Sequence, residues 1–438
     1  MKKIVLTMFA AILMIMNGFA QNVTVTCGTV TGISGQIANV PVNVSGIDEG
    51  AGGTPIIGFQ VEITYQTGIV TFLDINSTTL NATLSANGSW NTSAVDNGII
   101  HVDWLANDIL VPVSVTDDEK LFDCRFIANA GGTSPLPMIN VEFSDVDGLT
   151  LPTSLTNGSI TFPAPAASTT WNGTAVWFTP ANWSNGLPGK ATQAIIASGV
   201  VTVDAACYSA NLTINPGAGV TINTGKTLTV NGNLVLASNA TSSATGSLLR
   251  NGNLTVSGTT TVQRYITGGT QHFISVPVTA ASIANFIDPS NPGYFFSFNE
   301  SANSWENPWD PAYQLSLGVG YSVNYTNPET ISLNGALNND ASYSPNITRA
   351  GQRFNLVGNP YSCPIDWTIA SGWTKTSLDD AIYIWNTNVY AYFVNGVGTN
   401  GGTKYIPQFQ GFFVRAQTAG SAPAISIKKA ARTLNGNE

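Results

Sequence analysis

The sequence predicts an all-β protein with an N-terminal jelly-roll or immunoglobulin-like β-sandwich, a short β-solenoid and a C-terminal aromatic-rich β-sandwich. Apolar and polar residues alternate over many short runs, and Gly and Asn clusters separate these runs. In the middle of the chain a repeat places Asn215, Asn223 and Asn231 eight residues apart, as in stacked short strands. The predicted segments are residues 1–20, 21–162, 163–170, 171–265 and 266–438.

Residues 1–20 predict a cleaved secretory signal peptide. Lys2 and Lys3 precede a mostly apolar run, Ile4 to Met16, and Gly18-Phe19-Ala20 forms a cleavage site with small residues. The apolar run is too short to span a bilayer. We therefore expect an extracellular or cell-surface protein without membrane insertion.

The composition also narrows the classes of partner. Charged residues make up only 9% of the chain, against roughly 25% in an ordinary soluble protein. The formal net charge is −9, and removal of Lys2 and Lys3 would make it more negative. Because an acidic surface repels phosphate backbones, we expect no nucleic-acid partner.

The first segment, residues 21–162, shows the alternation of a β-sandwich, in which one face of each strand is buried. The apolar positions in three of its runs are Val40, Val42 and Val44, then Phe59, Val61 and Ile63, and then Ile100, Val102 and Trp104.

Two cysteines lie in this segment, each on the apolar face of an alternating run. Cys27 and Cys124 could therefore meet in one core, and an exported chain permits a disulfide. A Cys27–Cys124 disulfide and two buried free thiols are both compatible with the pattern. Cys207 and Cys363 lie in different predicted domains, so we expect them to be free.

The order of runs in residues 22–162 is similar to that of cohesins and related carbohydrate-binding-like jelly rolls. It reads VTVTCGTVTGISGQIANVPVNVSGI, GFQVEITYQTGIVTFLDI, GIIHVDWLA and KLFDCRF. This resemblance implies a docking module that binds a dockerin-like protein partner. The turn at Tyr65-Gln66-Thr67-Gly68 departs from the Tyr-Asp-Pro of many cohesins, and no dockerin-contacting position can be carried over.

A Pro-rich linker, residues 163–170, precedes Trp171, Trp177 and Trp183. These tryptophans are either a strip on which sugars stack or a cap on the first coil of the solenoid. We favour the cap, because the intervening Gly and Pro argue against one continuous strand. The solenoid prediction for 171–265 rests on the tripeptides that begin at Leu212, Val220, Leu228 and Leu254.

Aromatic residues are dense in residues 266–438, and a short helix is expected near Ala280 to Phe286. Runs such as RFNLVGNPYSCPIDW and IPQFQGFFVRA make residues 171–434 similar to exported proteins of Bacteroidetes type. That resemblance implies type IX secretion, with a β-helical segment that passes into a β-sandwich ahead of a C-terminal sorting domain. The sequence ends where such a domain would begin.

No catalytic constellation is evident. The two histidines, His101 and His272, lie in different predicted domains, and His101 next to Asp103 is typical of an ordinary polar strand face. We predict no catalytic residue, no metal and no cofactor. Trp305 and Trp309, in a Pro-containing loop, are the best ligand-binding candidates, although both could instead fold back into an aromatic core.

These observations predict a secreted, non-enzymatic adhesion or scaffolding protein of the cell surface, whose cohesin-like domain docks a protein or glycan. The alternative is a carbohydrate-binding accessory protein in polysaccharide degradation. The expected partner is accordingly a dockerin-like protein or a polysaccharide.

Overall fold

The computed structural model describes residues 22–95, 98–240, 242–308 and 310–436. The predicted signal peptide and Trp309 lie outside the described residues. The described chain is all-β, as predicted, and divides into two compact units. Of the described residues, unit 1 comprises those within 22–166 and 189–191, and unit 2 comprises those within 167–188 and 192–436. No helix in the described ranges is long and apolar enough to cross a membrane.

The described part of unit 1 consists of short strands, one six-residue α-helix and the 3₁₀ turns Glu49–Ala51 and Ser77–Thr79. The strands and the α-helix are β1 (Val23–Cys27), β2 (Thr29–Thr31), β3 (Ala38–Ser45), β4 (Gly58–Thr64), β5 (Val70–Ile75), α1 (Ala82–Asn87), β6 (Gly88–Val95), β7 (Ile99–Ala106), β8 (Glu119–Ala128), β9 (Gly132–Leu136), β10 (Met138–Ser144), β11 (Thr153–Thr156) and β12 (Gly158–Phe162).

The strands of unit 1 form a β-sandwich. A five-stranded sheet has the order β11-β1-β3-β8-β5, and a four-stranded sheet has the order β10-β4-β7-β6. Both sheets contribute to a single apolar core, in which Val40, Val61 and Val102 are fully buried. The alternation predicted for β3, β4 and β7 is therefore confirmed, whereas α1 was not predicted.

Of the two alternatives for Cys27 and Cys124, a disulfide and two buried free thiols, the structure has the second. Both cysteines are buried free thiols. Cys27 pairs with Val42 and Cys124 pairs with Val40, so the whole of β3 lies between β1 and β8. Two strand spacings separate the Cα atoms by at least about 9.5 Å, which exceeds the span that a disulfide can bridge.

Unit 2 contains the remaining strands. They are β13 (Ser168–Val176), β14 (Gln193–Val203), β15 (Cys207–Ser209), β16 (Leu212–Ile214), β17 (Gly219–Ile222), β18 (Thr227–Val230), β19 (Leu234–Leu236), β20 (Ser238–Asn239), β21 (Ser242–Thr245), β22 (Ser247–Arg250), β23 (Asn253–Val256), β24 (Thr260–Ile266), β25 (Gln271–Ile274), β26 (Gly293–Asn299), β27 (Ser304–Glu306), β28 (Tyr321–Tyr325), β29 (Glu329–Asn334), β30 (Ser342–Tyr343), β31 (Phe354–Gly358), β32 (Ile365–Asp366), β33 (Trp373–Thr376), β34 (Ala381–Asn386), β35 (Val389–Val394), β36 (Val397–Thr399), β37 (Tyr405–Ile406), β38 (Gly411–Arg415) and β39 (Ala424–Lys428).

The repeats of the middle region pair in parallel. β14 pairs with both β16 and β17, β16 pairs with β19, and β19 pairs with β24, all within one strongly curled sheet of eight strands. A separate parallel sheet has the order β15-β18-β23. Parallel pairing of successive repeats is what a solenoid requires, but the curled sheet continues into the antiparallel strand β29. The complete solenoid stays a prediction.

Trp171, Trp177 and Trp183 form a buried cluster at the start of unit 2. Their exposed fractions are 0%, 0% and 4%, and Trp183 packs edge-on against both others with ring centroids 5.1 Å apart. The sugar-stacking alternative is therefore wrong, because no ring face is open to a ligand. The cluster lies beside β13, which pairs with β14.

The predicted segment boundaries stay predictions, although two observations bear on them. Residues 168–170 of the predicted linker belong to β13, and β24 crosses the predicted boundary at residue 265. The short helix expected near Ala280 to Phe286 is a 3₁₀ turn at Ile283–Phe286.

A five-stranded antiparallel sheet near the C-terminus, in the order β31-β38-β34-β35-β36, has two different apolar faces. One face buries aliphatic and aromatic residues in a core that also takes Trp373, Ile425 and Ile427 from β33 and β39. The residues of this face are Val357, Ile382, Phe393, Phe412 and Val414. The opposite face carries the candidate site.

Candidate functional site

The second face of this sheet is a row of aromatic side chains. Directly paired residues of an antiparallel sheet lie on the same face, and Tyr383 pairs with both Phe413 and Tyr392. Trp385 pairs with Tyr390 on the same two strands, β34 and β35. Since side chains alternate along a strand, the aliphatic residues between them point to the buried core.

The β26–β27 hairpin covers part of this aromatic face. Phe298 pairs with Trp305 across the hairpin, and their ring centroids lie 5.1 Å apart. The ring of Trp305 also packs against those of Phe273 and Phe413, with centroid separations of 5.7 and 6.2 Å. Asn303 turns the chain before β27 with a φ of 50°, which Asn tolerates better than most residues.

The prediction of a loop around Trp305 is therefore wrong, because the residue lies in β27. The cross-strand pair with Phe298 and the turn at Asn303 form a hairpin instead. The two alternatives for Trp305 are both partly right: the ring packs against an aromatic cluster, yet the residue remains 36% exposed.

Glu300 holds this hairpin in position. The residue is only 6% exposed, and its carboxylate accepts hydrogen bonds from Thr348 Oγ1 and from the backbone N–H groups of Ala350, Gly351 and Arg353, at 2.7 to 3.0 Å. Burial raises the pKa of Glu300, but these four hydrogen bonds together outweigh burial and leave the pKa below its usual value. The loop that Glu300 binds leads directly into β31.

Between the hairpin and the sheet lies an open cavity of about 400 Å³, which we call the aromatic pocket. Its volume is within the range of small-ligand sites. The lining residues are Phe298, Asn303, Trp305, Phe354, Tyr383, Tyr390, Tyr392 and Phe413.

Four neutral polar groups of the aromatic pocket have no protein partner. The hydroxyls of Tyr383, Tyr390 and Tyr392 and the side-chain amide of Asn303 make no hydrogen bond to any described residue. Each hydroxyl can both donate and accept, and the amide offers donors and an acceptor. The aromatic pocket therefore combines flat apolar surfaces with hydrogen-bonding groups that a ligand can use.

No charged side chain of the described residues lines the aromatic pocket. Burial raises the pKa of Tyr383 and of Tyr390, so these phenols stay neutral at physiological pH. The guanidinium of Arg415, outside the lining, lies 5.4 Å from the Phe354 ring and 3.9 Å from Asp379. Arg415 and Asp379 therefore lie near the aromatic pocket but outside its lining.

Of the two predicted ligand-binding residues, the structure brings Trp305 to the aromatic pocket, whereas Trp309 lies outside the described residues. The tyrosines Tyr383, Tyr390 and Tyr392 were not predicted as site residues. The alternation of Tyr383-Ile-Trp385 and of Tyr390-Ala-Tyr392 was a signal for them, because it places aromatic rings on one strand face and aliphatic groups on the other.

The two histidines lie outside the aromatic pocket. His101 Nδ1 contacts Glu62 Oε1 at 2.7 Å, so its partner comes from the neighbouring strand and not from Asp103. His272 Nε2 contacts Thr267. The described residues contain no group of three or more His, Cys, Asp or Glu side chains that could hold a metal ion.

Comparison with known families gives one match that covers most of unit 2. Residues 170–438 match the family described as "Domain of unknown function (DUF8693)". No curated protein matches the sequence.

Several solved structures are similar to about a third of the chain. A non-cellulosomal cohesin from the archaeon Archaeoglobus fulgidus is 19% identical, with a TM-score of 0.27, over 33% of this chain and 92% of its own. A type I cohesin–dockerin complex from Clostridium thermocellum is 18% identical, with a TM-score of 0.28, over 32% of this chain and 99% of its own. CaCohA2 from Clostridium acetobutylicum is 26% identical, with a TM-score of 0.27, over 34% of this chain and 94% of its own. With TM-scores this low, these likenesses carry no argument about function.

Proposed function

The chain belongs to the DUF8693 family, a domain of unknown function, and we propose that it is a secreted, non-enzymatic protein that binds a neutral glycan in the aromatic pocket. The observation that carries this proposal is the lining of the pocket. Aromatic rings that can stack against a sugar ring surround hydroxyl and amide groups that have no hydrogen-bond partner among the described residues.

The chemistry of a sugar matches both features. A pyranose ring has an apolar face that packs on an aromatic ring, and its hydroxyls need both donors and acceptors, which tyrosine and asparagine supply. A buried polar group of a ligand must find a partner or lose affinity. A neutral sugar suits this site best, because no charged side chain of the described residues lines it.

Binding without catalysis is the role that this lining supports. Glycoside hydrolysis uses two carboxylates on either side of the scissile bond, and the lining offers aromatic, phenolic and amide groups instead. The predicted signal peptide supports a location outside the cell, where polysaccharides are accessible.

The test is a glycan array probed with the full mature chain, followed by calorimetry on the best neutral oligosaccharide. We expect saturable binding, and we expect Trp305→Ala to weaken it by about tenfold or more, because a stacking surface is lost. Tyr294→Ala is the matched control, since Tyr294 is 61% exposed and lies outside the pocket lining. Absence of binding to every neutral glycan, or equal loss in both variants, would refute the proposal.

A second candidate function is cell-surface adhesion or scaffolding through unit 1, which would dock a dockerin-like protein. The supporting observation is an exposed apolar segment after β7, in which Ile109, Leu110 and Val111 are 55%, 78% and 60% exposed. Exposed apolar patches of this kind are typical of protein interaction sites. Calorimetry with a purified type I dockerin tests it: binding that Leu110→Asp abolishes would support docking, and absence of binding would exclude this class of partner.

A further inference from the structure

A second cavity of unit 2, of about 420 Å³, lies beside β23, the last strand of the sheet β15-β18-β23. We call it the β23 groove. Leu254 and Val256 of β23 form part of its lining, together with Thr259, Thr260, Leu337 and Arg250. It shares no lining residue with the aromatic pocket.

The β23 groove is the position that a further strand would occupy. β18 pairs in parallel with β23, which places Leu228 next to Leu254 and Val230 next to Val256. Leu228 and Val230 are fully buried, whereas Leu254 and Val256 are only half-buried. Because β23 is the edge strand of its sheet, its outer backbone N–H and C=O groups have no strand partner among the described residues.

A group of three cations adjoins this groove. Arg250 is part of the lining, and Lys429 and Arg432 lie close enough to act on its charge or on one another. Burial lowers the pKa of Arg250, and the charge of Arg432 lowers it further. None of the three makes an ion pair with a carboxylate of the described residues.

The three cations differ in how many of their hydrogen-bond donors already have a partner in the protein. Arg432 donates to the carbonyl oxygens of Arg250 and Lys429 and to Asn251 Oδ1, at 2.7 to 3.0 Å. Arg250 makes a single long hydrogen bond, from Nε to the Gly252 oxygen at 3.4 Å. Asp340 is the carboxylate that acts on Lys429, and its Oδ2 already accepts from Tyr343 at 2.7 Å. Of the three, Arg250 is the one that lines the groove, and its guanidinium has donors left for an anion.

We propose that the β23 groove binds an extended peptide strand, which adds to the free edge of β23 and presents a carboxylate to Arg250. Strand addition supplies backbone hydrogen bonds, and alternate side chains of the added strand reach the groove. Leu254, Val256 and Leu337 offer apolar contacts for those side chains. A carboxylate gives Arg250 a charge-assisted, bidentate partner.

A peptide suits this groove better than a glycan. No aromatic side chain of the described residues lines it, so a sugar ring would find no stacking surface. The free backbone edge, in contrast, matches the backbone of a peptide. Since every pairing within this sheet is parallel, we expect the added strand to be parallel, with its acidic residue on the N-terminal side, near Arg250.

The experiment uses the full mature chain and a labelled synthetic peptide, Glu-Asn-Gly-Thr-Leu-Thr-Val, whose last four residues copy residues 227–230. We expect saturable binding by fluorescence anisotropy and slower amide hydrogen exchange at residues 253–256 in the complex. Arg250→Gln should weaken binding by about tenfold, because a charge-assisted contact is lost, and Arg250→Lys should retain part of it. The control is Lys226→Gln, an exposed cation outside the groove lining, which should bind as the wild type does.

Three results would overturn the proposal. The first is absence of saturable binding, and the second is equal binding of a peptide with Lys in place of Glu. The third is binding of polygalacturonate, abolished by Arg250→Gln, without binding of the peptide, which would assign the groove to an acidic glycan. Melting temperatures of the variants show whether each is folded, and we expect Arg250→Gln to fold because its side chain makes so few contacts.

Discussion

At the scale of single residues, we expect Glu300 to affect both the stability of the fold and the proposed glycan binding. A glutamine in its place would turn an amide N–H₂ toward backbone N–H donors and remove the charge that they stabilise. We expect Glu300→Gln to lower the free energy of unfolding by about 2 kcal/mol and to weaken glycan binding, because the hairpin that carries Trp305 is no longer fixed. Chemical denaturation and calorimetry measure the two effects.

The same residue predicts a dependence on pH. The folded state lowers the pKa of Glu300 below its ordinary value of 4.5, so the stabilisation is complete above that value and is lost as the pH falls through the folded-state pKa. The difference in the free energy of unfolding between wild type and Glu300→Gln should therefore become smaller at acidic pH. Glu306→Gln, on the exposed side of the same hairpin, is the control. If this difference in the free energy of unfolding were the same at pH 7 and pH 2, Glu300 would not be the group whose ionisation stabilises the fold.

A second prediction concerns the tyrosine hydroxyls of the aromatic pocket. Tyr392→Phe removes a hydroxyl without a protein partner, so stability should change by less than about 0.5 kcal/mol. Glycan affinity should fall by roughly 3- to 10-fold, the effect of one neutral hydrogen bond.

Tyr361→Phe should behave in the opposite way to Tyr392→Phe. Its buried hydroxyl contacts the carbonyl oxygens of Asp340 and Ile427, at 3.3 and 3.2 Å, so stability should fall while affinity stays unchanged. If both variants lost stability alone, the hydroxyl of Tyr392 would have no role in binding.

At the scale of elements, individual strands were predictable and the site was not. Alternation at Val40 to Val44 or at Tyr383 to Trp385 is a local property of the sequence, and the strands follow it. The aromatic pocket brings together β26, β27, β31, β34, β35 and β38, whose pairing depends on long-range packing that no local pattern encodes. The sequence singled out Trp305 as a ligand-binding candidate, and this residue lines the aromatic pocket, but its hairpin and its tyrosine neighbours were not predicted.

The two paired leucines of β18 and β23 test the arrangement of the repeat region. Leu228→Ala should cost about 2 to 5 kcal/mol, because a fully buried side chain leaves a cavity. Leu254→Ala should cost less than half as much, since the β23 groove already exposes part of this side chain to solvent. Urea unfolding followed by circular dichroism compares them. Equal costs would mean that the groove is closed in solution.

At the scale of the whole molecule, the family match and the packing agree on one region. The match begins at residue 170, and unit 2 begins at Ala167. The sequence instead suggested two segments here, 171–265 and 266–438, because a regular repeat gives way to dense aromatics. The division between these two segments stays a prediction.

The reactivity of the four cysteines can report the unfolding of each compact unit. All are buried free thiols, and burial raises the pKa of Cys27 to about 11 and that of Cys363 to about 12, so the native thiols should resist alkylation near neutral pH. Increasing urea should expose Cys27 and Cys124 together, because both belong to unit 1. Cys207 and Cys363 should likewise react together if unit 2 unfolds as one. Peptide mass spectrometry after pulsed alkylation gives the transition for each cysteine. Separate transitions for Cys207 and Cys363 would instead support two independently folded segments, as the sequence pattern suggested.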